Sequence, residues 1–167
     1  MGVVMENISH IFTVLCGTPP PKAEEVIIRN KHYCGHIGMD FVIHPFSVFS
    51  GETMLQAADR ARFTYAAENP STIYMDWDCL IIDFPKVNPE YPLFPFMNEN
   101  GLFDYFCFYT GKDAVRFKKY LEFHNAKYRN DSNYWMSLQD FFKGRIQNYP
   151  PATYRHYSLR GWDQCNP

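Results

Sequence analysis

The sequence predicts a single α+β domain over residues 1–167, a mixed β-sheet with about three helices packed on it. Three observations predict it. Short apolar runs of strand character are separated by stretches of helical periodicity, the pattern of a sheet covered by helices on at least one face. Hydrophobic residues make up 46% of the chain, which places it among folded rather than disordered sequences. The 167-residue length is that of one domain with a proper core.

The elements follow in order. Ile11–Cys16 reads as a strand, closed by Gly17 and Pro19-Pro20-Pro21. Lys22–Arg29 fits a short helix or a strand equally. Phe41–His44 reads as a strand stopped by Pro45. Ser50–Glu68 repeats Leu55, Ala58, Ala61 and Tyr65 at helical spacing, with Ser50 as N-cap and Asn69-Pro70 as stop. Thr72–Ile82, rich in Ile, Tyr and Trp, reads as one strand. Residues 84–101 contain four prolines and read as a long loop, a candidate binding loop or lid. Asp104–Tyr109 is nearly all apolar and reads as a central strand. Lys112–Tyr128 carries an apolar stripe through Ala114, Phe117, Leu121, His124 and Tyr128, with His124 expected as a hydrogen-bonded core residue. A third helix starts near Ser132, sets Trp135, Leu138, Phe142 and Ile146 on one side, and stops at Pro150-Pro151. Thr153–Arg160 alternates as a final strand.

Bulk properties narrow the setting. Net charge is −2, but residues 1–111 hold 6 basic and 13 acidic side chains, whereas residues 112–167 hold 10 basic and 5 acidic. The two parts either face each other or expose a basic face to a phosphate-bearing ligand. Aromatic residues make up 18% of the chain, which predicts a ring-filled core, with exposed rings for a partner or for nucleobases as the alternative. The five cysteines are odd in number and several sit in apolar runs, as reduced buried thiols do. No apolar stretch approaches the roughly 20 residues of a membrane span. A cytoplasmic setting without membrane contact is the expectation.

The segment Asp76-Trp77-Asp78 is the most informative. On a strand, alternate residues share a face, so these two carboxylates point the same way between apolar neighbours. They repel unless something positive lies between them. One solution is Mg²⁺ or Mn²⁺, held by the carboxylates together with substrate phosphates. The other is a basic side chain, with Asp78 paired to an Arg and Asp76 at a wet strand end. A guanidinium locked onto either carboxylate would favour architecture over catalysis. Around Thr110-Gly111-Lys112, a strand gives way to a helix. Thr110 and Asp113 have the spacing of a capping box variant, and the helix N-terminus with Lys112 and Arg116 would favour a phosphate. An ordinary N-cap accounts for the same residues. Near the end, His156, Ser158 and Arg160 share a strand face suited to phosphate or ribose, or to solvent. His32, Cys34 and His36 alternate and would share a face if that segment were a strand.

Asp-x-Asp on an apolar strand, a strand ending in Thr-Gly, and a late Arg-x-x-Ser-Leu segment together resemble the archaeo-eukaryotic primase family over some thirty residues. The resemblance implies that Asp76 and Asp78 are catalytic metal ligands, that Thr110 and Gly111 contact a nucleotide triphosphate, and that Arg155 and Ser158 lie near the nucleotide. The family's histidine after the Ser-Gly turn has no counterpart, since Val115-Arg116-Phe117 stands there.

Two functions follow. The first is divalent-metal-dependent binding or processing of a nucleotide or nucleic-acid phosphate, with Mg²⁺ or Mn²⁺ on Asp76 and Asp78 and with Lys112, Arg116 and Arg160 neutralising phosphates. The second is a non-catalytic inhibitor or adaptor that binds a protein partner through Tyr91, Phe94 and Phe96 of the 84–101 loop.

Overall fold

In a computed structural model that describes residues 7–97, 102–131 and 136–158, six strands form one mixed sheet. It contains β1 (Ile11–Leu15), β2 (Phe41–Pro45), β3 (Ile73–Met75), β5 (Leu93–Phe94), β8 (Cys107–Tyr109) and β9 (Gln147–Asn148). Their spatial order is β2-β1-β3-β8-β5-β9. β1 runs parallel to β2 and β3, whereas β8 is antiparallel to β3 and β5. Two ribbons flank the sheet: β4 (Cys79–Ile81) with β10 (Tyr154–His156), and β6 (Phe96–Met97) with β7 (Leu102–Phe103). The predicted α+β class holds, with four helices among the described residues.

The ambiguous segment after the triple proline is a helix, α1 (Pro21–His36). Proline suits a first turn, where its missing N–H costs nothing. Ala23, Val26, Ile27, Asn30 and Cys34 form its buried stripe. This corrects the His32, Cys34, His36 reading. On a helix Cys34 turns into the core while both histidines face solvent, so the three share no face.

α2 (Met54–Glu68) starts later than predicted because Thr53, not Ser50, is its N-cap. Gln56 N–H donates to Thr53 Oγ1 at 3.2 Å, and Thr53 N–H donates to Gln56 Oε1 at 2.9 Å, closing a capping box. Thr53→Ala is expected to cost about 1 kcal/mol in urea unfolding, and Thr53→Ser almost nothing.

α2, α3 (Val115–Lys127) and α4 (Ser137–Phe142) cover one face of the sheet, where Phe12, Phe63, Tyr74, Phe94, Phe108, Phe117, Tyr120 and Phe142 form an aromatic core. Phe63 stacks on Phe108 at 5.6 Å and meets Tyr120 edge-on at 4.8 Å. The aromatic excess is therefore core, as predicted. His124 is buried there too, with Nδ1 2.9 Å from Ser137 Oγ. On the opposite face Ile11, Ile73, Met75, Cys107 and Tyr109 pack with Cys34 of α1. Cys16, Cys34, Cys79 and Cys107 are buried free thiols, and Cys165 lies outside the described residues.

Four further expectations are corrected. Residues 84–101 are not a plain loop, since β5 and β6 lie within them. Phe94 is fully buried in the aromatic core and cannot anchor a partner, whereas Tyr91 and Phe96 are exposed. The third helix ends at Phe142 rather than at Pro150-Pro151, so Ile146 is not on it and Gln147–Asn148 is β9, while Ser132, near its expected start, and Trp135 lie outside the described residues. The predicted strand 72–82 is two strands broken at Asp76–Asp78. No described helix is long and apolar enough to cross a membrane.

Candidate metal centre

The break between β3 and β4 creates the site. β8 gives out as a partner where Phe106 turns away, and the last amide of the run, Asp76 N–H, donates to the Phe106 carbonyl at 2.7 Å. Cys79 N–H then donates to the Asp76 carbonyl at 2.9 Å, closing a turn around Trp77. Trp77 is buried against Ala23 and Ile27 of α1 and anchors that turn. The two carboxylates therefore converge through a turn and not through the pleat of a continuous strand.

This turn lies just beyond the carboxyl end of β3. The connection from β1 to β2 runs through α1 on one face, and that from β2 to β3 through α2 on the other. β1 and β3 therefore flank a reversal of strand order, and such crevices at carboxyl ends are where open α/β sheets bind ligands.

The third member comes from far along the chain. β10 pairs antiparallel with β4, setting His156 opposite Cys79, and Tyr157 N–H donates to the Asp78 carbonyl at 3.1 Å. His156 Nε2 lies 3.3 Å from Asp78 Oδ1. Asp76, Asp78 and His156 each offer a ligand atom, and the three atoms lie within 4.8 Å of one another. The other edge of β4 is held by the buried Asn30, whose amide donates to the Cys79 carbonyl and accepts from Ile81 N–H, both at 2.9 Å.

The counter-charge differs from expectation. Arg62 of α2, 1% exposed, reaches Asp76 Oδ1 at 3.1 Å and Asp59 Oδ1 at 3.2 Å. Asp78, predicted to take an Arg, takes His156, and Asp76, predicted at a wet strand end, takes the Arg. The Tyr74 hydroxyl also donates to Asp76 Oδ1. The guanidinium that would argue for architecture is thus present at Asp76. It does not balance the cluster: against Asp59, Asp76 and Asp78 stand one guanidinium, the His156 imidazole on Asp78 and the His124 imidazole 3.7 Å from Asp59, which burial pulls down to about 4 so that it carries no charge. Burial pushes the Asp59 carboxyl up to about 7 despite Arg62, and burial with the charge of Asp78 pushes Asp76 up to about 6. Burial pulls the His156 imidazole down, but its hydrogen bond to Asp78 and the charges of Asp78 and Asp76 outweigh this and raise it. The Asp59 and Asp76 shifts come first from burial, with neighbouring carboxylates adding to them, and a divalent cation would relieve the charge that Asp76 and Asp78 carry. Both contacts to Asp76 fall on Oδ1, and the side chain keeps 13% exposure.

The other sequence candidates are dispersed. Thr110, Gly111 and Lys112 follow β8, which is antiparallel to β3, so they sit at the end of β3 away from Asp76. Thr110 Oγ1 accepts from Thr72 N–H at 3.0 Å and does not cap α3, which starts at Val115 with no side-chain cap. Gly111 has φ +71° and packs where a Cβ would lie 3.3 Å from the Pro89 carbonyl oxygen, so its role there is steric. Lys112 pairs with Glu90, and Arg116 with Asp113 at 2.8 Å. Arg155 is exposed and lies over the Tyr157 ring, whereas Ser158 Oγ comes within 3.4 Å of His156 Nδ1. Arg160 lies outside the described residues.

A search of protein-family models and of curated proteins gave no match. Solved structures do match. The chain shares its fold with glycosyltransferases. One is a glycosyltransferase involved in the glycosylation of the major capsid of PBCV-1, with TM-score 0.63 and 17% identity, over 89% of this chain and 93% of that one. Another is the PaToxG glycosyltransferase, with TM-score 0.54 and 16% identity, over 81% of this chain and 67% of that one.

Proposed function

We propose that the protein is a divalent-metal-dependent glycosyltransferase that uses a nucleotide sugar as donor. The observation that carries this reading is the Asp76, Asp78, His156 cluster at the carboxyl end of β3, within a fold shared with glycosyltransferases. Two carboxylates and an imidazole suit Mn²⁺ better than Mg²⁺, which prefers oxygen ligands alone. Three protein ligands leave positions for phosphate oxygens. A cation there would neutralise the nucleoside diphosphate as it leaves the sugar.

The chain's own residues divide the work. Asp76 and Asp78 supply the negative charge, and Arg62 with Tyr74 fixes the Asp76 carboxylate through one oxygen. His156 closes the cluster from the β4–β10 ribbon. The transfer breaks the bond from the sugar's anomeric carbon to phosphate and forms one to an acceptor hydroxyl, which gives up its proton. The primase resemblance rests on the same carboxylate pair. A nucleotide sugar is favoured over a nucleic acid because Lys112 and Arg116 lie at the far end of β3 and offer no basic track beside Asp76.

Calorimetry with Mn²⁺, then with UDP-glucose and GDP-mannose in its presence, tests the reading. Mn²⁺ binding is expected, followed by tighter binding of one donor with Mn²⁺ than with EDTA and slow release of its nucleoside diphosphate. No heat with Mn²⁺, alone or with either donor, would overturn it.

A further inference from the structure

The cluster is assembled from two separate pieces of sheet. Asp76 hangs from β3 in the main sheet, whereas His156 rides on β10, which pairs only with β4 among the described strands. Something must fix the ribbon against the sheet to within a few tenths of an ångström, because metal affinity depends on how well ligands are held before the ion arrives. Phe106 touches both pieces beside the ligand atoms themselves. The Phe106 carbonyl accepts the Asp76 amide at 2.7 Å. Its ring lies flat on the His156 imidazole, with centroids 4.2 Å apart and planes within 7°. The same ring meets Tyr154, the residue two before His156 on the same face of β10, edge-on at 5.3 Å.

We infer that Phe106 is a positioning residue of the metal centre: its main chain sets Asp76 and its ring sets His156, so one residue aligns the two halves of the site. Its role rests on the metal reading above. The flat stack fixes the plane of the imidazole and turns Nε2 toward Asp78. The hydrogen bond between Ser158 Oγ and His156 Nδ1 is long, at 3.4 Å, and involves an exposed hydroxyl, so it cannot fix the ring alone. No catalytic contact is assigned to Phe106.

The test is a double-mutant cycle read by Mn²⁺ affinity in the full chain. Phe106→Leu keeps apolar volume and the carbonyl but removes the flat ring. It is expected to weaken Mn²⁺ binding about ten- to a hundredfold, the range for residues that orient ligands. Phe106→Tyr keeps the ring and should bind within about twofold of wild type. On a His156→Ala background, Phe106→Leu should change Mn²⁺ affinity by less than about twofold, because there is no imidazole left to orient. A full loss on that background, or no loss on the wild-type background, overturns the inference. The stack is also readable without metal: the His156 ring protons, shielded by the Phe106 face, should move downfield in Phe106→Leu. A wild-type chain that binds no Mn²⁺ defeats the metal reading and the positioning role with it. Unmoved ring protons defeat the positioning role alone.

Discussion

Asp78→Asn is expected to lower Mn²⁺-dependent sugar transfer, or donor hydrolysis, about a thousandfold. Asparagine keeps the shape of the side chain but removes a charge and an anionic ligand. It also weakens the partner that draws His156 into the cluster at 3.3 Å. A bound cation contributes several kcal/mol of transition-state stabilisation, and each 1.36 kcal/mol is tenfold in rate, so about 4 kcal/mol gives the thousandfold. Mn²⁺ affinity should fall in parallel. The fold should survive, since the turn is held by main-chain bonds from Asp76 and by buried Trp77 rather than by the Asp78 carboxylate. An unchanged far-UV spectrum with activity lost is the expected pair of results. Retained activity would remove Asp78 from the site.

Arg62→Leu is expected to have the largest effect on stability. Arg62 is buried between Asp59 and Asp76, with Tyr74 and Tyr105 rings within 5.2 Å and 5.1 Å of the guanidinium. Removing the cation strands two buried carboxylates, and breaking a buried pair in this way costs about 3–5 kcal/mol. For a chain of this size that is a drop in Tm of about 10 °C. Asp59→Asn should cost far less, because Arg62 then still serves Asp76. The sign with pH is also set. Both carboxyls already titrate above their ordinary range, Asp59 near 7 and Asp76 near 6, so the folded state binds protons that the unfolded state has released. Their contribution to stability is greatest in acid and is lost as pH rises through 6–7. Without Arg62 the ionised forms become costlier still, so the deficit of Arg62→Leu should be larger at pH 8 than at pH 5.5. Equal deficits at both pH values would mean that its loss acts through packing alone.

The contrast between Asp78 and Arg62 shows which parts of this molecule are legible in its sequence. Asp76-Trp77-Asp78 stands out because two carboxylates amid apolar neighbours demand a compensating charge, whatever the backbone does. The conclusion survived although the backbone is a turn and not a strand. α2 and the aromatic core were legible from periodicity, since burial of one face imposes it. His156 was visible as a polar group on a late strand but not as a neighbour of the two carboxylates. Its role depends on β10 pairing with β4, a contact across more than seventy residues that no local pattern encodes. Arg62 was missed for the same reason: nothing in the helical stripe of α2 says that its guanidinium meets Asp76. Thr110-Gly111-Lys112 looked like an anion site because a strand gave way to a helix there. The helix starts three residues later, and the antiparallel run of β8 carries that turn away from the carboxylates.

Anomalous diffraction at the manganese edge, from crystals grown with Mn²⁺ and a nucleoside diphosphate, addresses the cation directly. The expected map has one strong peak within bonding distance of carboxylate oxygens from Asp76 and Asp78 and of a His156 ring nitrogen, with phosphate oxygens on its open side. A fully occupied diphosphate with no manganese between it and those three side chains would contradict the account.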